Sequence, residues 1–503
     1  FKLATQFRMV KNTDFNNLNE RRQHHIDLIR NSQKTKQIGP VAEFRLTTKS
    51  LKANFLSIGT GSLGGKARGL AFANTYWGEA KLADKYPEVT LRVPKVAVVG
   101  TDEFDIFMDG NKLWETALSL ESNKDLEAVF LKGRLSRNLI QTLKEFLKEV
   151  HFPLAIRSSS LLEDSQYQPL AGMYATYMLP NCHENNKERL SQVCEAIKRV
   201  FASTFFQEPK ILMETIVHRH EEEKMAVIIM EMIGQKHDVY FYPTISGVAQ
   251  SYNYYPTSYI NRNDGVSYVA LGLGKTVVDG KKNLRFCPKY PTLIHQFYSI
   301  KSTIDTSQHE FYALNLADKT PMKRGENKNL NHYDLSIAEN DGQLKFIGSV
   351  IPENENVLRD SLSYDGIRIA SFSNILKWKT FPLSDILNEL IKFGKESLGC
   401  PVEFEFAVNL YDDSKKKKTT ADFCVLQMKP MLIEGLIKNT NELTENPDNI
   451  LFKTPLAMGD GVTSDIRDIL MVKMDTFEAS KTPEIAKELE KMNNLMSSKN
   501  PYL

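Results

Sequence analysis

Two periods of apolar residues run along this chain and divide it into helices and strands. Between Asn186 and Phe206, Leu190, Val193, Ile197, Val200 and Phe201 recur every three or four residues, the spacing of one helical face. Residues 120–150 and Leu383–Leu398 carry the same spacing, and Gly399 is placed to end the latter helix. Leu70–Trp77 and Glu103–Met108 predict two more helices. Met225–Met230 is an unbroken apolar run with β-branched members, which predicts a buried strand. Shorter runs at Val93–Val99, Leu154–Ile156, Val239–Tyr242 and Val248–Tyr252 predict further strands. Val402–Val408 and Phe423–Met428 predict two strands joined by residues 409–422, with Pro430 ending the second. The connection holds Lys415–Lys418, which reads as a solvated hairpin tip.

The flanks are more polar. Asn17–Asn31 reads as a surface helix within an arm of residues 1–50. Its adjacent His24 and His25 point to different faces and do not share a metal. The tail Glu434–Leu503, with a C-terminal extension over 436–503, reads as loops, one β-type run at Ile469–Val472 and a charged helix at Pro483–Met496. The mixture predicts an α/β protein, with no internal repeat. Aromatic Tyr252–Tyr259 has only Arg262 nearby, so packing is expected there in place of base stacking.

Composition narrows the classes. The 503 residues are 42% hydrophobic and 25% charged, enough apolar surface to offset the ordering of a core. Net charge is +2, without the basic excess of a dedicated nucleic-acid binder. No apolar run reaches the roughly 18–20 residues that span a bilayer. Five scattered cysteines form no C-x-x-C pair, which argues against a zinc site or disulfide framework and for a reducing cytoplasm. The first residue is Phe1, and the chain is expected to be a piece of a longer protein.

Three segments carry chemistry. Gly59–Gly69 (GTGSLGGKARG) has five glycines in eleven residues, which lets backbone N–H groups approach phosphate oxygens. It is not a P-loop, because Thr60 and Ala67 stand where glycine and Ser/Thr are required. Gly59-x-Gly61-x-x-Gly64 does fit the dinucleotide fingerprint, alongside the bland reading of a flexible turn. The second segment is Arg157-Ser158-Ser159-Ser160 after a strand, followed by Glu163-Asp164 and Ala171-Gly172. Arg157 either forks onto a phosphate or pairs with Glu163 or Asp164. The third is Glu403-Phe404-Glu405, two carboxylates on one strand face that repel unless a cation lies between them. Gln427 and Lys429 have the same spacing on the following strand. None of the ten histidines sits in a small-residue turn of the G-x-T-S-H kind, and His218 and His220 read as solvated.

The order of these motifs resembles the nucleotide-binding domain of the phosphoenolpyruvate synthase and pyruvate phosphate dikinase family. The resemblance spans roughly residues 55–435 and includes Gly64–Leu70, Val93-Pro94 with Thr101, Arg157–Ser159, Gly272–Gly280, Glu403-x-Glu405 and Leu426-Gln427-x-Lys429-Pro430. It implies an ATP-grasp-type clamp with one lobe over 51–240 and a second over 241–435. It implies ATP and Mg²⁺ as cofactors, with catalysis by positioning and charge neutralisation. Lys66 and Arg157 would be the catalytic, phosphate-holding residues, with Gly64, Gly65 and Thr101 also at the nucleotide. Gly172 and Thr176 would lie in the loop over the phosphates, Glu231 near adenine or ribose, and Gln427 and Lys429 on the phosphates. Glu403 and Glu405 would bind the metal.

The sequence departs from the family pattern at Glu231 for Gln, Lys429 for Arg and Lys275 for Glu. The carrier histidine and the pyruvate-binding barrel are not visible, and Gly461–Asp465 has Asp where that histidine would stand. The implied partner is a phosphate-accepting histidine domain, in cis or in trans, with neither nucleic acid nor membrane involved. The alternatives are a nucleotide-responsive module with the same clamp but no chemistry, and a dinucleotide-dependent oxidoreductase.

Overall fold

A computed structural model describes residues 42–43, 54–79, 85–160, 163, 172–215, 223–257, 259–318, 329–353, 355–413, 418–431, 469–472, 477–478 and 481–496. The expected arm helix, His218 and His220, lysines 415–417 and Gly461–Asp465 lie outside these residues. Contacts divide the chain into one unit of residues 1–253 and 257–432 and a second of 254–256 and 433–503.

The larger unit mixes helices with several mixed sheets. Its first sheet has the order β1 (Ala42–Glu43), β2 (Phe55–Ile58), β4 (Val96–Val99), β7 (Met225–Glu231), β5 (Leu154–Ser160), β6 (Thr176–Leu179). One face packs on helices Thr101–Gly110, Asn123–Lys132, Arg137–Glu149 and Asn186–Ser203 through a core containing Phe104, Phe107, Phe130 and Phe201. Three of these helices begin on a polar side chain that satisfies a free N–H: Ser122 accepts from Asp125, Ser136 from Leu139 and Asn185 from Lys187.

The second sheet has the order β12 (Leu284–Phe286), β11 (Val266–Ala270), β10 (Ile245–Gln250), β17 (Val402–Asp413), β18 (Lys418–Pro430), β3 (Val89–Arg92). Helix Leu383–Leu398 covers one face and ends at Gly399, whose φ of 68° suits the left-handed turn. Val402, Phe404 and Phe406 point into the core that includes this helix, leaving Glu403 and Glu405 on the other face. The ladder pairs Glu405 with Gln427 and Phe406 with Val425, so Leu426 is an extra residue in a bulge. The bulge turns Val425 into the core while Gln427 and Lys429 keep company with the two carboxylates. A smaller sheet of β14 (Leu330–Asp334), β13 (Glu310–Asn315), β9 (Tyr240–Tyr242) and β8 (Gln235–His237), and the pair β15 (Gly348–Ile351) and β16 (Ile367–Ala370), complete the unit.

Helix Gly64–Glu79 lies between the two large sheets, against β5 and β18. It begins six residues before the expected Leu70. The Ser159 hydroxyl accepts from the Ala67 N–H and so caps this early turn despite its low-propensity glycines. The fit depends on missing side chains. A Cβ at Gly64 would stand 1.8 Å from the Ser159 carbonyl oxygen, at Gly65 1.7 Å from that of Glu163, and at Gly69 2.4 Å from that of Met428.

Other expectations shift by register or context. The Val93–Val99 strand is confined to Val96–Val99, beyond Pro94, and Val89–Arg92 forms a separate strand of the other sheet. Val248–Tyr252 becomes Ile245–Gln250. The strand after Leu154 continues through Arg157 to Ser160. In the smaller unit the helix is Thr482–Met496, close to expectation, but Ile469–Val472 forms no strand. A four-residue run without a ladder partner does not hold as a strand. Packing is also overturned for Tyr259, which is 62% exposed and meets the ring of Tyr290 edge-on.

Gly65→Ala is expected to cost about 1–3 kcal/mol, the range for overpacking. Thermal unfolding should show a melting temperature lowered by several degrees, and an unchanged value would contradict the wedged position of this helix.

Candidate functional site

The helix start, β5 and the β17–β18 pair meet in one polar cluster. Lys66, in the first turn of helix Gly64–Glu79, is buried; its Nζ lies 2.8 Å from Glu163 Oε1 and donates to Ser158 Oγ at 3.3 Å. Glu163 is held in turn by the Ser158 hydroxyl at 2.9 Å and the Ser160 N–H at 3.0 Å. The acid beside the Arg-Ser-Ser-Ser segment therefore serves Lys66. Arg157 reaches from the first sheet to the second, where Nη2 donates to Glu405 Oε2 at 3.2 Å and to Gln427 Oε1 at 3.0 Å. Of the two acids expected to pair with Arg157, Glu163 is on Lys66 and Asp164 lies outside the described residues; the acid that meets Arg157 here is Glu405.

Glu403 completes the row. Lys429 Nζ lies 2.8 Å from Glu403 Oε1, and Gln250 Nε2 donates to Glu403 Oε2 at 2.7 Å. Glu403 and Glu405 are two residues apart on β17, roughly 7 Å along the strand. Burial works to raise the Glu405 carboxyl, but Arg157, Lys429 and Lys66 outweigh it and hold it below the ordinary carboxylate range. Thr176 stands opposite Arg157 in the β5–β6 ladder and so shares its face.

The remaining expected residues occupy other places. Thr101 anchors the glycine-rich loop: its Oγ1 accepts from the Ser62 N–H at 2.8 Å and its own N–H donates to the Ser62 carbonyl at 3.0 Å. Gly64 and Gly65 form the close contact between the helix start and the Ser159 and Glu163 backbone. Gly172 is exposed, with a φ of 78° and open space around it.

Glu231, at the end of β7, belongs to a second cluster with Asp422, which stands five residues before Gln427 on β18. There Arg92 forks onto Glu231 at 2.8 and 3.2 Å and onto Asp422 at 2.9 and 2.8 Å, and the Lys95 N–H donates to Glu231 at 3.0 Å. Burial works against the Arg92 charge, yet the two carboxylates raise its affinity for the proton. Sequence reasoning missed this clamp and Gln250. The available signal was a charge inside each of two otherwise β-type runs, Arg92 beside Val93-Pro94 and Asp422 beside Phe423. Gln250 became legible only through its register opposite Glu403.

Among the described residues no group of three or more His, Cys, Asp or Glu side chains is arranged to hold a metal. What the cluster brings together is two carboxylates, Glu403 and Glu405, beside three cations, Lys66, Arg157 and Lys429.

Residues 60–448 match the family described as pyruvate phosphate dikinase, AMP/ATP-binding domain. The chain belongs to this family. The dikinase-family match contains every residue of the polar cluster. A relative, the uncharacterized phosphotransferase YvkC of Bacillus subtilis (strain 168), is 26% identical over 193 residues. Those residues are 38% of this chain and 20% of that protein. The chain thereby carries an AMP/ATP-binding domain of the pyruvate phosphate dikinase family. No helix among its described residues is long and apolar enough to cross a membrane.

The Glu405 shift has a sign that can be worked out. A carboxyl depressed on folding contributes stability that is present above its unfolded pKa and is lost as pH falls through the folded value. Urea unfolding of the native chain and Glu405→Gln should therefore differ most at neutral pH, and the difference should shrink below about pH 4.5. A gap independent of pH would contradict the assignment.

Proposed function

We propose that this chain clamps Mg²⁺–ATP between its two sheets and passes a phosphoryl group to a histidine on another domain or on a partner protein. The observation that carries this reading is the convergence of Lys66, Arg157 and Lys429 with Glu403 and Glu405. In an ATP-grasp-type reading, residues 51–240 and 241–435 supply the two jaws. Lys66, Arg157 and Lys429 take phosphate oxygens, and Gln427 adds an amide donor. Arg157 offers a planar fork, whereas Lys429 offers a point charge, so Arg157 carries more of the orientation.

Glu403 and Glu405 would hold Mg²⁺, which when bound supplies charge neutralisation at the phosphates. The N–H groups around Gly64 and Gly65 lie at a helix N-terminus, where an anion is favoured. Thr101 keeps that loop in place, and Gly172 and Thr176 lie on the covering side. Glu231 stands at the adenine end as a brace, because its carboxylate is already committed to Arg92 and the Lys95 N–H.

The chemistry asked of these residues is positional. The three cations compensate negative charge as a phosphoryl group moves, and the flanking sheets exclude water. No residue need form a covalent bond with the nucleotide. The histidine acceptor is inferred from the family's reaction type.

Calorimetric titration with a non-hydrolysable ATP analogue tests this reading. Binding should require Mg²⁺. Lys66→Ala or Arg157→Ala should weaken it by about tenfold or more, the loss expected for one charge-assisted hydrogen bond. Glu403→Gln with Glu405→Gln should remove the metal dependence. Absence of binding heat with and without Mg²⁺ would end the proposal.

A further inference from the structure

The sheet face that carries Glu405 continues past it. Strand register sets Arg285, Tyr268, Val248, Glu405 and Gln427 directly opposite one another across β12, β11, β10, β17 and β18. Directly opposed residues share a face. Val248, Tyr268 and Arg285 are each half-buried, whereas their neighbours Gly247, Ser267 and Phe286 are buried on the other side. The face therefore stays open from the acid pair to the sheet's edge. Three strand spacings, about 14 Å, separate Glu405 from Arg285.

At that edge a cleft of about 480 Å³ opens, lined by Arg285, Lys281, Lys282 and His295, with Asp305 as the acid among its described lining residues. That volume suits a small organic ligand and exceeds what a bare ion needs. Ile260, Val266 and Leu293 give the cleft an apolar part.

Arg285 is oriented before any ligand arrives. Its Nη2 donates to Asn253 Oδ1 at 2.8 Å, and its backbone N–H donates to Gln296 Oε1 at 2.8 Å. Gln296 is itself fixed through Nε2 to the Asn283 carbonyl at 2.8 Å. Lys282 is exposed at the rim, and Lys281 leans over the ring of Tyr312 with its Nζ 5.2 Å from the centroid. Lys281, Lys282 and Arg285 outnumber Asp305 among the described charged residues that line the cleft.

The geometry points to a second anion site, separate from the nucleotide site, that takes a phosphate monoester on a small apolar body. A phosphate group suits this excess of basic over acidic lining residues, and an arginine held in place gives it a charged donor. The apolar lining gives the ester's organic part a place that inorganic phosphate would leave unused. This site goes beyond the proposed function and does not rest on it.

Phenyl phosphate is a suitable probe, with phenol as its uncharged control. The full chain is titrated with each by calorimetry, in the presence of saturating Mg²⁺ and a non-hydrolysable ATP analogue. Saturable binding of phenyl phosphate but not of phenol is expected. Lys282→Glu and Arg285→Ala should each weaken it by about tenfold or more, and Lys282→Arg should retain it. Should Arg285→Ala fail to fold, Lys282→Glu at its exposed position decides. No binding at millimolar probe, displacement by the ATP analogue, or unchanged affinity in Lys282→Glu would each overturn the site. Phenyl phosphate binding in a chain that fails to bind nucleotide would support this site while removing the proposed function.

Discussion

The close approach of helix Gly64–Glu79 to two sheets at once is the constraint on which the site depends. Its first turns touch the Ser159 and Glu163 backbone, and Gly69 faces the Met428 carbonyl. Side chains at these positions would push the helix away from β5 or from β18. With the helix in place, Lys66 is buried beside Glu163, and Arg157 is near enough to the second sheet to meet Glu405 and Gln427. One packing fact thus sets two ion pairs and a hydrogen bond between segments far apart in sequence.

Those contacts give the cluster its electrostatic character. Each cation already has an acid: Lys66 with Glu163, Arg157 with Glu405, Lys429 with Glu403. Buried charges need such partners, because an unpaired one carries a desolvation cost of several kcal/mol. A phosphate group offers Arg157 and Lys429 an exchange of anionic partners, and a divalent cation offers the same exchange to Glu403 and Glu405. The Arg92 clamp on Glu231 and Asp422 ties the two sheets together at the opposite end of β18. The polar cluster and this brace lie at two points along one strand, the layout on which the proposed nucleotide clamp rests.

Local pattern carried much of this into the sequence. The Leu383–Leu398 helix and the carboxylate pair on β17 follow directly from spacing and a terminal glycine. The motif order also indicated which distant residues belong together. What was not legible depends on long-range pairing. Val89–Arg92 joins a sheet whose neighbouring strand begins at Lys418, and nothing local announces that ladder. The Leu426 bulge aims Gln427 at the carboxylates, yet within the unbroken apolar run Phe423–Leu426 nothing marks which residue is the extra one. Arg157 had a nearby acid available in Glu163, and only the fold shows that Lys66 takes it.

The central claim is that one ligand engages both sheets at once. Hydrogen exchange of the full chain, with and without Mg²⁺ and a non-hydrolysable ATP analogue, tests it most directly. The account predicts added protection together in the Gly64–Glu79 helix start, in β5 and in β17–β18. Protection confined to one sheet, or absent from both, would contradict it.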